Sequence, residues 1–171
     1  MGETLIDYIS REGAQVIISD INEARMEEVA KKYGATPFVG TDIFDAEVDI
    51  YAPCALGATL NDDTVYRLKA QVIAGAANNQ LADEATHGKV LRERNIVYAP
   101  DFLINAGGII NVYGELVKYG KEEALQRTEN IYNTTLEILD YADKNNIIPQ
   151  FAAMRVAENR IAARKKEMQG N

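Results

Sequence analysis

Short apolar runs alternate with amphipathic segments along the first hundred residues, and this alternation is the strongest constraint on the fold. Strands are predicted over 15–19, 36–40, 48–53, 71–79 and 95–100, and helices over 3–12, 23–33, 62–68 and 84–94. Strands that alternate with helices are typical of an α/β fold with a mostly parallel sheet. Beyond Asn105 the pattern becomes helical, and we predict helices over 106–118, 121–144 and 150–168, the last forming a C-terminal tail.

Capping residues support two of these helices. Gly13 follows the first predicted helix at the position where a C′ glycine belongs. Asn22 precedes the second helix as a side-chain cap, and Gly34 follows it as a stop.

Composition and charge exclude several classes of protein. The formal net charge of -8, with a sequence pI near 4.7, argues against a protein that binds a nucleic-acid backbone. No apolar run approaches the roughly 18 residues that a membrane helix needs. Cys54 is the single cysteine and His87 the single histidine, so no disulfide and no structural zinc site can form within the chain. We therefore expect a soluble cytoplasmic protein that binds no metal, membrane or nucleic acid.

Small and polar residues follow three of the predicted strands. The segments are "PCALGATLN" after 48–52, "AANNQL" after 72–76 and "PDFLINAGG" after 96–99. Ligands of open α/β sheets bind at the carboxyl ends of the strands, where small residues let a flat cofactor approach the backbone. Small residues also make tight turns, so any one segment is ambiguous. The three together favour a cofactor cleft.

Asp20 ends the apolar run of "AQVIISDINE" and has two interpretations. The acid is either an ordinary helix cap or the carboxylate that binds the adenosine ribose of a dinucleotide. In the second case a glycine-rich phosphate loop belongs about 20 residues earlier, where the chain has only Gly2. No arginine follows Asp20 to hold a 2′-phosphate, which favours NAD over NADP.

The remaining polar candidates are also ambiguous. Asn78 and Asn79 form either a turn or a pair of ligand-binding amides. Asn105 is expected to cap the helix that starts at 106, whose free N–H groups could receive a polar cofactor group. Cys54 has no base near it in sequence and is not expected to act as a nucleophile. His87 lies in a polar segment, and we expect it on a helix surface.

The long motifs resemble a known family. The segments "DIYAPCALGATLN", "VIAGAANNQL" and "IVYAPDFLINAGGIINVYGE" look like the cofactor-binding domain of the glutamate/leucine/phenylalanine/valine dehydrogenases, above all its branched-chain members. The resemblance covers essentially the whole chain. It implies a Rossmann-like, doubly wound sheet that lacks its first strand, and reversible oxidative deamination. In that reaction an L-amino acid, NAD and water give a 2-oxo acid, ammonia and NADH.

The resemblance also implies roles for individual residues. Gly2 falls at the last glycine of the family's phosphate loop, and Asp20 would hold the adenosine ribose. The other cofactor-binding residues would be Cys54, Ala55, Leu56, Asn78 and Asn105, with Asn105 beside the nicotinamide carboxamide. Asn79 would reach the substrate carboxylate, and Ile109 and Val112 would line an aliphatic side-chain pocket. Their bulk and lack of charge fit a branched-chain amino acid such as leucine better than glutamate.

The family's catalytic lysine and assisting aspartate have no counterpart here, because no lysine of the chain lies in the family's glycine-rich lysine motif. No catalytic residue is therefore assigned. We expect 1–145 to be a truncated dinucleotide-binding domain and 146–171 a helix packing on the same unit. The isolated chain is expected to be inactive and, like assembled members of the family, to form homo-oligomers.

Three alternatives remain. The chain could be a non-catalytic folding or assembly fragment, or it could belong to a phenylalanine- or valine-specific member of the same family. The segment "NAGG" also occurs in short-chain dehydrogenases, but those enzymes need a tyrosine with a lysine four positions later. Tyr113 and Lys118 are five positions apart, so that class is disfavoured.

Overall fold

The computed structural model describes residues 1–38 and 42–169, which divide into two compact units. The first unit comprises Met1–Glu47 with Arg67–Lys69, and the second comprises Val48–Tyr66 with Ala70–Asn171. The last two residues of the predicted strand 36–40 lie outside the described residues. None of the described helices is both long and apolar enough to cross a membrane.

The first unit contains two helices and a two-stranded parallel sheet. Its elements are α1 (Gly2–Arg11), β1 (Ile17–Ile18), α2 (Glu23–Tyr33), β2 (Thr36–Pro37) and a 3-10 helix (Ile43–Asp45). In the sheet, β1 pairs with β2 in parallel, with Ile17 opposite Thr36. The alternation of strand and helix follows the sequence prediction, although only two residues of each strand pair with the neighbouring strand.

Local capping explains where α2 begins and ends. The Asn22 side chain accepts a hydrogen bond from the Arg25 N–H at 3.0 Å, which satisfies one free donor of the first turn. Gly34 ends the helix in the left-handed conformation, with φ of 70°. Gly13 has a φ of 87° after α1, so both glycines stand where only glycine adopts the backbone without strain.

Glu3 connects the two helices of the first unit. Its carboxylate accepts hydrogen bonds from Lys32 at 3.0 Å and from the Tyr33 hydroxyl at 3.1 Å, and it also pairs with Arg25. The hydrogen bonds from Lys32 and Tyr33 lower the pKa of Glu3. None of the residues of α1 is fully buried, and this ionic cluster joins α1 to α2 beside half-buried apolar residues of α1.

The second unit contains a three-stranded parallel sheet covered by helices. The strands are β3 (Ile50–Tyr51), β4 (Val72–Ile73) and β5 (Val97–Tyr98), in the order β3-β4-β5. The helices are α3 (Glu84–Glu93), α4 (Asp101–Ile104), α5 (Gly107–Val117), α6 (Lys121–Glu129), α7 (Ile131–Asn145) and α8 (Pro149–Gln169). The described strands are thus all parallel, as the sequence predicted, and they lie in two separate sheets.

Two apolar clusters form the core of the second unit. Ile73 on the central strand is completely buried, as are Leu60 and Val65 in the segment between β3 and β4. A second cluster lies between α7 and α8 and contains Ile138, Ala142, Ala152, Ala153 and Val156. The C-terminal helix therefore packs against α7 through small side chains, which allow the two backbones to approach closely.

Three predicted helices differ from the structure. Residues 62–67 form turns instead of the helix predicted over 62–68. The Asn61 side chain accepts hydrogen bonds from the N–H groups of Asp63 and Thr64 as a helix cap does, but Arg94 donates to the Val65 carbonyl, an acceptor that a continuing helix would use. The helix predicted over 121–144 is interrupted at Asn130, which ends α6 and begins α7. The third difference is at the helix predicted from 106, which Asn105 does not cap.

His87 is buried, which contradicts the predicted surface position. Its Nδ1 accepts a hydrogen bond from the Asp83 N–H at 2.9 Å, so Nε2 carries the proton and donates to Asp62 at 3.0 Å. Asp83 also caps α3 by accepting from the Thr86 N–H, and hydrogen bonding from Thr86 lowers the pKa of Asp83. The histidine therefore folds back over the start of its own helix.

Candidate functional site

The chain segments that follow β3, β4 and β5 converge at one edge of the second unit. We call this region the strand-end surface and define it as residues 53–60, 75–82 and 99–105. The Ala77 N–H donates to the Pro53 carbonyl at 2.9 Å, and the Ala58 N–H donates to the Asn79 carbonyl at 2.7 Å. Because the strands are parallel, their carboxyl ends meet at this edge, as the sequence analysis expected.

The first two segments continue side by side beyond their strands. Leu60 forms a parallel bridge with Leu81. Its N–H donates to the Gln80 carbonyl at 3.0 Å, and its carbonyl accepts from the Ala82 N–H at 2.9 Å. These bonds fix the spacing of the two segments without any side chain.

Two glycines of the strand-end surface lie against neighbouring backbone. A Cβ at Gly57 would lie 2.7 Å from the Asn78 carbonyl oxygen, and a Cβ at Gly75 would overlap the Pro53 backbone and lie 2.6 Å from its Cδ. Both glycines have ordinary backbone angles, so the requirement for glycine here is one of space. The segments could not approach each other as closely with larger residues.

The amides of Asn78 and Asn105 are joined. Asn105 donates from Nδ2 to Asn78 Oδ1 at 2.6 Å, which connects the segment after β4 to the segment after β5. This bond leaves donors on Asn78 and an acceptor on Asn105 available to a ligand. The structure therefore brings together two of the residues that the sequence analysis assigned to the cofactor.

Residues 54–56 border the same surface. Cys54 is half-buried with a free thiol, whereas Ala55 and Leu56 are exposed. Leu56 leaves 72% of its surface open to solvent, which is unusual for a leucine beside a set of amides. An apolar side chain next to paired amides suits a ligand that has both a flat ring and a polar substituent.

Asn79 has a strained backbone and an exposed side chain. Its φ is 51°, in the left-handed region, where asparagine is among the better tolerated residues. The neighbouring Ala58 has a φ of 55° and lacks any such compensation. Non-glycine residues in this region cost about 1 kcal/mol or more each and are over-represented at functional sites.

Ile109 and Val112 lie on α5 and are largely exposed, with 71% and 58% of their surfaces open. They are three positions apart and therefore share one face of the helix. An open groove beside them is lined by Ile109, Ile110, Tyr113, Tyr119, Gln126, Arg127 and Asn130. The exposed face can bind an aliphatic group, and it carries no charge at either predicted position.

Gly2 and Asp20 belong to the first unit. Gly2 is the first residue of α1, one position before the predicted start of that helix. Asp20 is exposed, and its Oδ1 accepts a hydrogen bond from the Asn22 N–H at 2.8 Å. The helix cap is Asn22, so Asp20 is not needed for capping and its second carboxylate oxygen remains accessible.

Asn105 does not cap the long helix, contrary to the sequence prediction. The short helix α4 precedes it, Asn105 ends α4, and Ala106 is the residue from which α5 starts. Pro100 is the cap residue of α4, and its carbonyl accepts from the N–H groups of Leu103 and Ile104, so a helical turn begins directly after β5. The Asn105 side chain is consequently free to bind Asn78.

Gln80 and Asp101 were not identified from the sequence. Both are buried, with exposures of 0% and 6%. The Gln80 N–H donates to Asp101 Oδ2 at 3.3 Å. A glutamine directly after two asparagines resembles ordinary turn composition, so the sequence contained no signal that would have separated Gln80 from its neighbours.

The strand-end surface has almost no charge. Residues 53–60, 75–82 and 99–105 contain no lysine, arginine or histidine, and Asp101 is their single acid. Burial raises the pKa of the nearby Tyr98 hydroxyl, and the negative charge of Asp101 raises it further. No group of three or more residues suited to a metal occurs within the described ranges. The polar groups of this surface are therefore mainly side-chain amides and backbone groups.

Comparison with known proteins gives a consistent result. A family model described as glutamate/leucine/phenylalanine/valine dehydrogenase matches residues 6–170. Leucine dehydrogenase of Bacillus cereus is 47% identical over 161 residues, which are 94% of this chain and 44% of that protein. The crystal structure of L-tryptophan dehydrogenase from Nostoc punctiforme has a TM-score of 0.91 and 43% identity, and it covers 95% of this chain.

A more distant structure shares the fold alone. It is the hetero-hexameric glutamate dehydrogenase of Thermus thermophilus, with a TM-score of 0.69 and 19% identity over 93% of this chain. The chain spans about half the length of the relatives that it matches, or 44% in leucine dehydrogenase of Bacillus cereus and 49% in the tryptophan dehydrogenase structure. With its parallel α/β units and a family model matched over almost its full length, the chain belongs to the glutamate/leucine/phenylalanine/valine dehydrogenase family.

Proposed function

We propose that the chain is the NAD-binding portion of an amino-acid dehydrogenase that acts on a branched-chain L-amino acid. The observation that carries this proposal is the strand-end surface, where the Asn78 and Asn105 amides are joined beside an exposed leucine. The dinucleotide supplies the hydride acceptor when it is bound. The whole enzyme would convert an L-amino acid, NAD⁺ and water into a 2-oxo acid, ammonium, NADH and a proton.

The residues present fit a nicotinamide ring with its carboxamide. Gly57 and Gly75 let the segments after β3 and β4 lie against each other, which brings the Asn78 backbone close to residues 53–57. The hydrogen bond to Asn78 uses Nδ2 of the Asn105 side chain and leaves its Oδ1 available. Oδ1 can therefore accept from the carboxamide NH₂ of the nicotinamide. Asn78 can in turn donate from its own NH₂ to a ribose hydroxyl.

Asp20 is proposed to select the nucleotide. One of its oxygens is free of the turn that it stabilises. A carboxylate accepts hydrogen bonds from both ribose hydroxyls and repels a 2′-phosphate, so NAD is favoured over NADP. The residues that follow, Ile21 and Asn22, provide no positive charge to compensate for such a phosphate.

The substrate side chain is proposed to contact Ile109 and Val112, and its carboxylate to contact Asn79. These two side chains are uncharged and aliphatic, which favours contact with leucine, valine or isoleucine over glutamate. An aromatic substrate is the second candidate, because one relative at 43% identity is an L-tryptophan dehydrogenase and another at 41% is a phenylalanine dehydrogenase. Tyr113, which lies beside Ile109 in the groove, would suit an aromatic ring.

Binding of the cofactor can be tested by NMR. Titration of the ¹⁵N-labelled chain with NADH should shift the side-chain amides of Asn78 and Asn105, and NADPH should bind more weakly. Asn105→Ala should weaken NADH binding by roughly 2- to 10-fold, as expected for the loss of one neutral hydrogen bond. Asn145→Ala is the matched control, since the Asn145 amide also donates one hydrogen bond, to the Tyr141 carbonyl, at the end of α7 and outside both the strand-end surface and the groove. Equal shifts for Asn145 and Asn105 would contradict the proposal.

Self-association is the second expected property. Apolar residues are exposed on α5 and α7, among them Leu116, Tyr132 and Leu136, and Ile50 on β3 is 60% exposed. Exposed apolar patches promote association. Size-exclusion chromatography with light scattering should show a mass above 18.9 kDa, and a monodisperse monomer would argue against it.

A further inference from the structure

Gln80 is the most deeply buried polar residue of the strand-end surface. Its side chain is fully enclosed, although glutamine is normally exposed. Its neighbours Asn78 and Asn79 are exposed. A buried amide is costly unless it is hydrogen-bonded, so the contacts of Gln80 indicate what it contributes.

The side-chain amide of Gln80 holds the turn that precedes it. Nε2 donates to the Gly75 carbonyl at 2.7 Å and to the Ala77 carbonyl at 3.0 Å. Both amide protons are therefore used on one short stretch of backbone. Oε1 is buried and has no partner within the described part of the chain.

The backbone of Gln80 joins the other two segments. Its N–H donates to Asp101 Oδ2 at 3.3 Å, and its carbonyl accepts from the Leu60 N–H at 3.0 Å. Gln80 consequently contacts the segments that follow β3, β4 and β5. Within the described residues it is connected by hydrogen bonds to all three parts of the strand-end surface.

The turn at 75–77 has no other side chains that could fix its shape. It consists of Gly75, Ala76 and Ala77, which carry at most a methyl group. Gly75 rests against the Pro53 backbone and the Ala77 N–H donates to the Pro53 carbonyl, so the path of the carbonyls between them depends on their own hydrogen bonds. The two carbonyls that Gln80 satisfies would otherwise be left without that donor, and the turn would relax.

We propose that Gln80 is a positioning residue, whose amide sets the path of residues 75–77 and so places Asn78 against Asn105. This inference rests on the proposed function in so far as Asn78 and Asn105 bind the cofactor. Gln80 itself does not touch the ligand. Its role is to keep two exposed amides at the distance at which they bind each other.

The experiment measures the Asn78–Asn105 bond directly. In ¹⁵N spectra of the full chain, the hydrogen-bonded amide proton of Asn105 should resonate downfield from that of an exposed asparagine. Gln80→Met keeps the length of the side chain and removes both donors. We expect this variant to lose the downfield shift and to bind NADH about tenfold more weakly, corresponding to one or two lost hydrogen bonds.

Gln150→Met is the matched control. Gln150 is equally buried, with 1% exposure, but neither its Nε2 nor its Oε1 has a hydrogen-bond partner among the described residues. The same substitution there should leave the Asn105 signal and NADH binding unchanged. A folded Gln80→Met chain that keeps the Asn105 shift would overturn the proposal, as would a Gln150→Met chain that loses it.

A measurement on the unsubstituted chain covers the case in which Gln80→Met does not fold. The two side-chain amide protons of Gln80 should exchange with solvent at least about 100-fold more slowly than those of exposed Asn79, since both are buried in hydrogen bonds. Equal exchange rates would overturn the proposal. Failure of the unsubstituted chain to bind NADH would contradict the cofactor proposal instead, and the Asn105 signal would still decide the role of Gln80.

Discussion

Gly75→Ala should destabilise the second unit by about 3 kcal/mol, at the upper end of the range for overpacked positions. The added methyl group would overlap the backbone nitrogen and oxygen of Pro53. Backbone atoms cannot rotate away as a flexible side chain can, so the segments that follow β3 and β4 would have to separate. The Ala77–Pro53 hydrogen bond would be lost with them.

Urea titration monitored by circular dichroism measures this effect. Gly108→Ala is the matched control, because a methyl group at Gly108 on α5 would have no heavy atom within 4 Å. That substitution should be neutral or stabilising by up to about 1 kcal/mol, because alanine favours helices over glycine. Coincident unfolding curves for Gly75→Ala and the unsubstituted chain would show that the two segments are not in close contact.

The isolated chain should produce no NADH from L-leucine and NAD⁺. Hydride transfer requires a substrate clamped against the nicotinamide and a group that exchanges protons with it. The strand-end surface supplies neither lysine nor histidine, and its one acid, Asp101, is buried and engaged with Gln80. Without the clamp and without the proton-exchanging group, turnover by the chain should be at least about 10⁴-fold lower than that of a complete dehydrogenase.

Absorbance at the NADH band measures turnover, with leucine dehydrogenase of Bacillus cereus assayed in parallel as the positive control. The same preparation of the chain should still show NADH-dependent shifts at Asn78 and Asn105 in NMR spectra. That combination separates a binding-competent, inactive chain from a misfolded one. Sustained NADH formation by the chain alone would mean that catalytic groups lie among residues to which we assign no such role.

The sequence predicted those features that depend on local chemistry. Helix α2 occupies 23–33 as predicted, since its asparagine cap and its terminal glycine act within a few residues of the helix ends. The parallel arrangement of the strands and the meeting of the segments that follow them were also predicted. The lengths of the strands were not predicted, because a strand ends where its partner strand ends, and the sequence of one strand does not contain that information.

Tertiary contacts account for the remaining differences. The segment 62–68 suggested a helix, and Asn61 binds the N–H groups after it as a helix cap does, yet Arg94 binds the Val65 carbonyl that a continuing helix would have used. His87 follows Asp83 by four positions, and that spacing was the one signal of its buried contact. The site residues Asn78 and Asn105 were named from the resemblance, whereas the bond between them required coordinates.

Helix α1 and the core of the second unit are held in place by different kinds of interaction. This helix fully buries none of its residues and is connected to α2 by charges on the surface, whereas the second unit has two apolar clusters. Salt screens surface charges and leaves apolar burial intact. We therefore expect the attachment of α1 to depend on ionic strength more than the apolar core of the second unit does, so that melting curves at low and high salt should differ in shape.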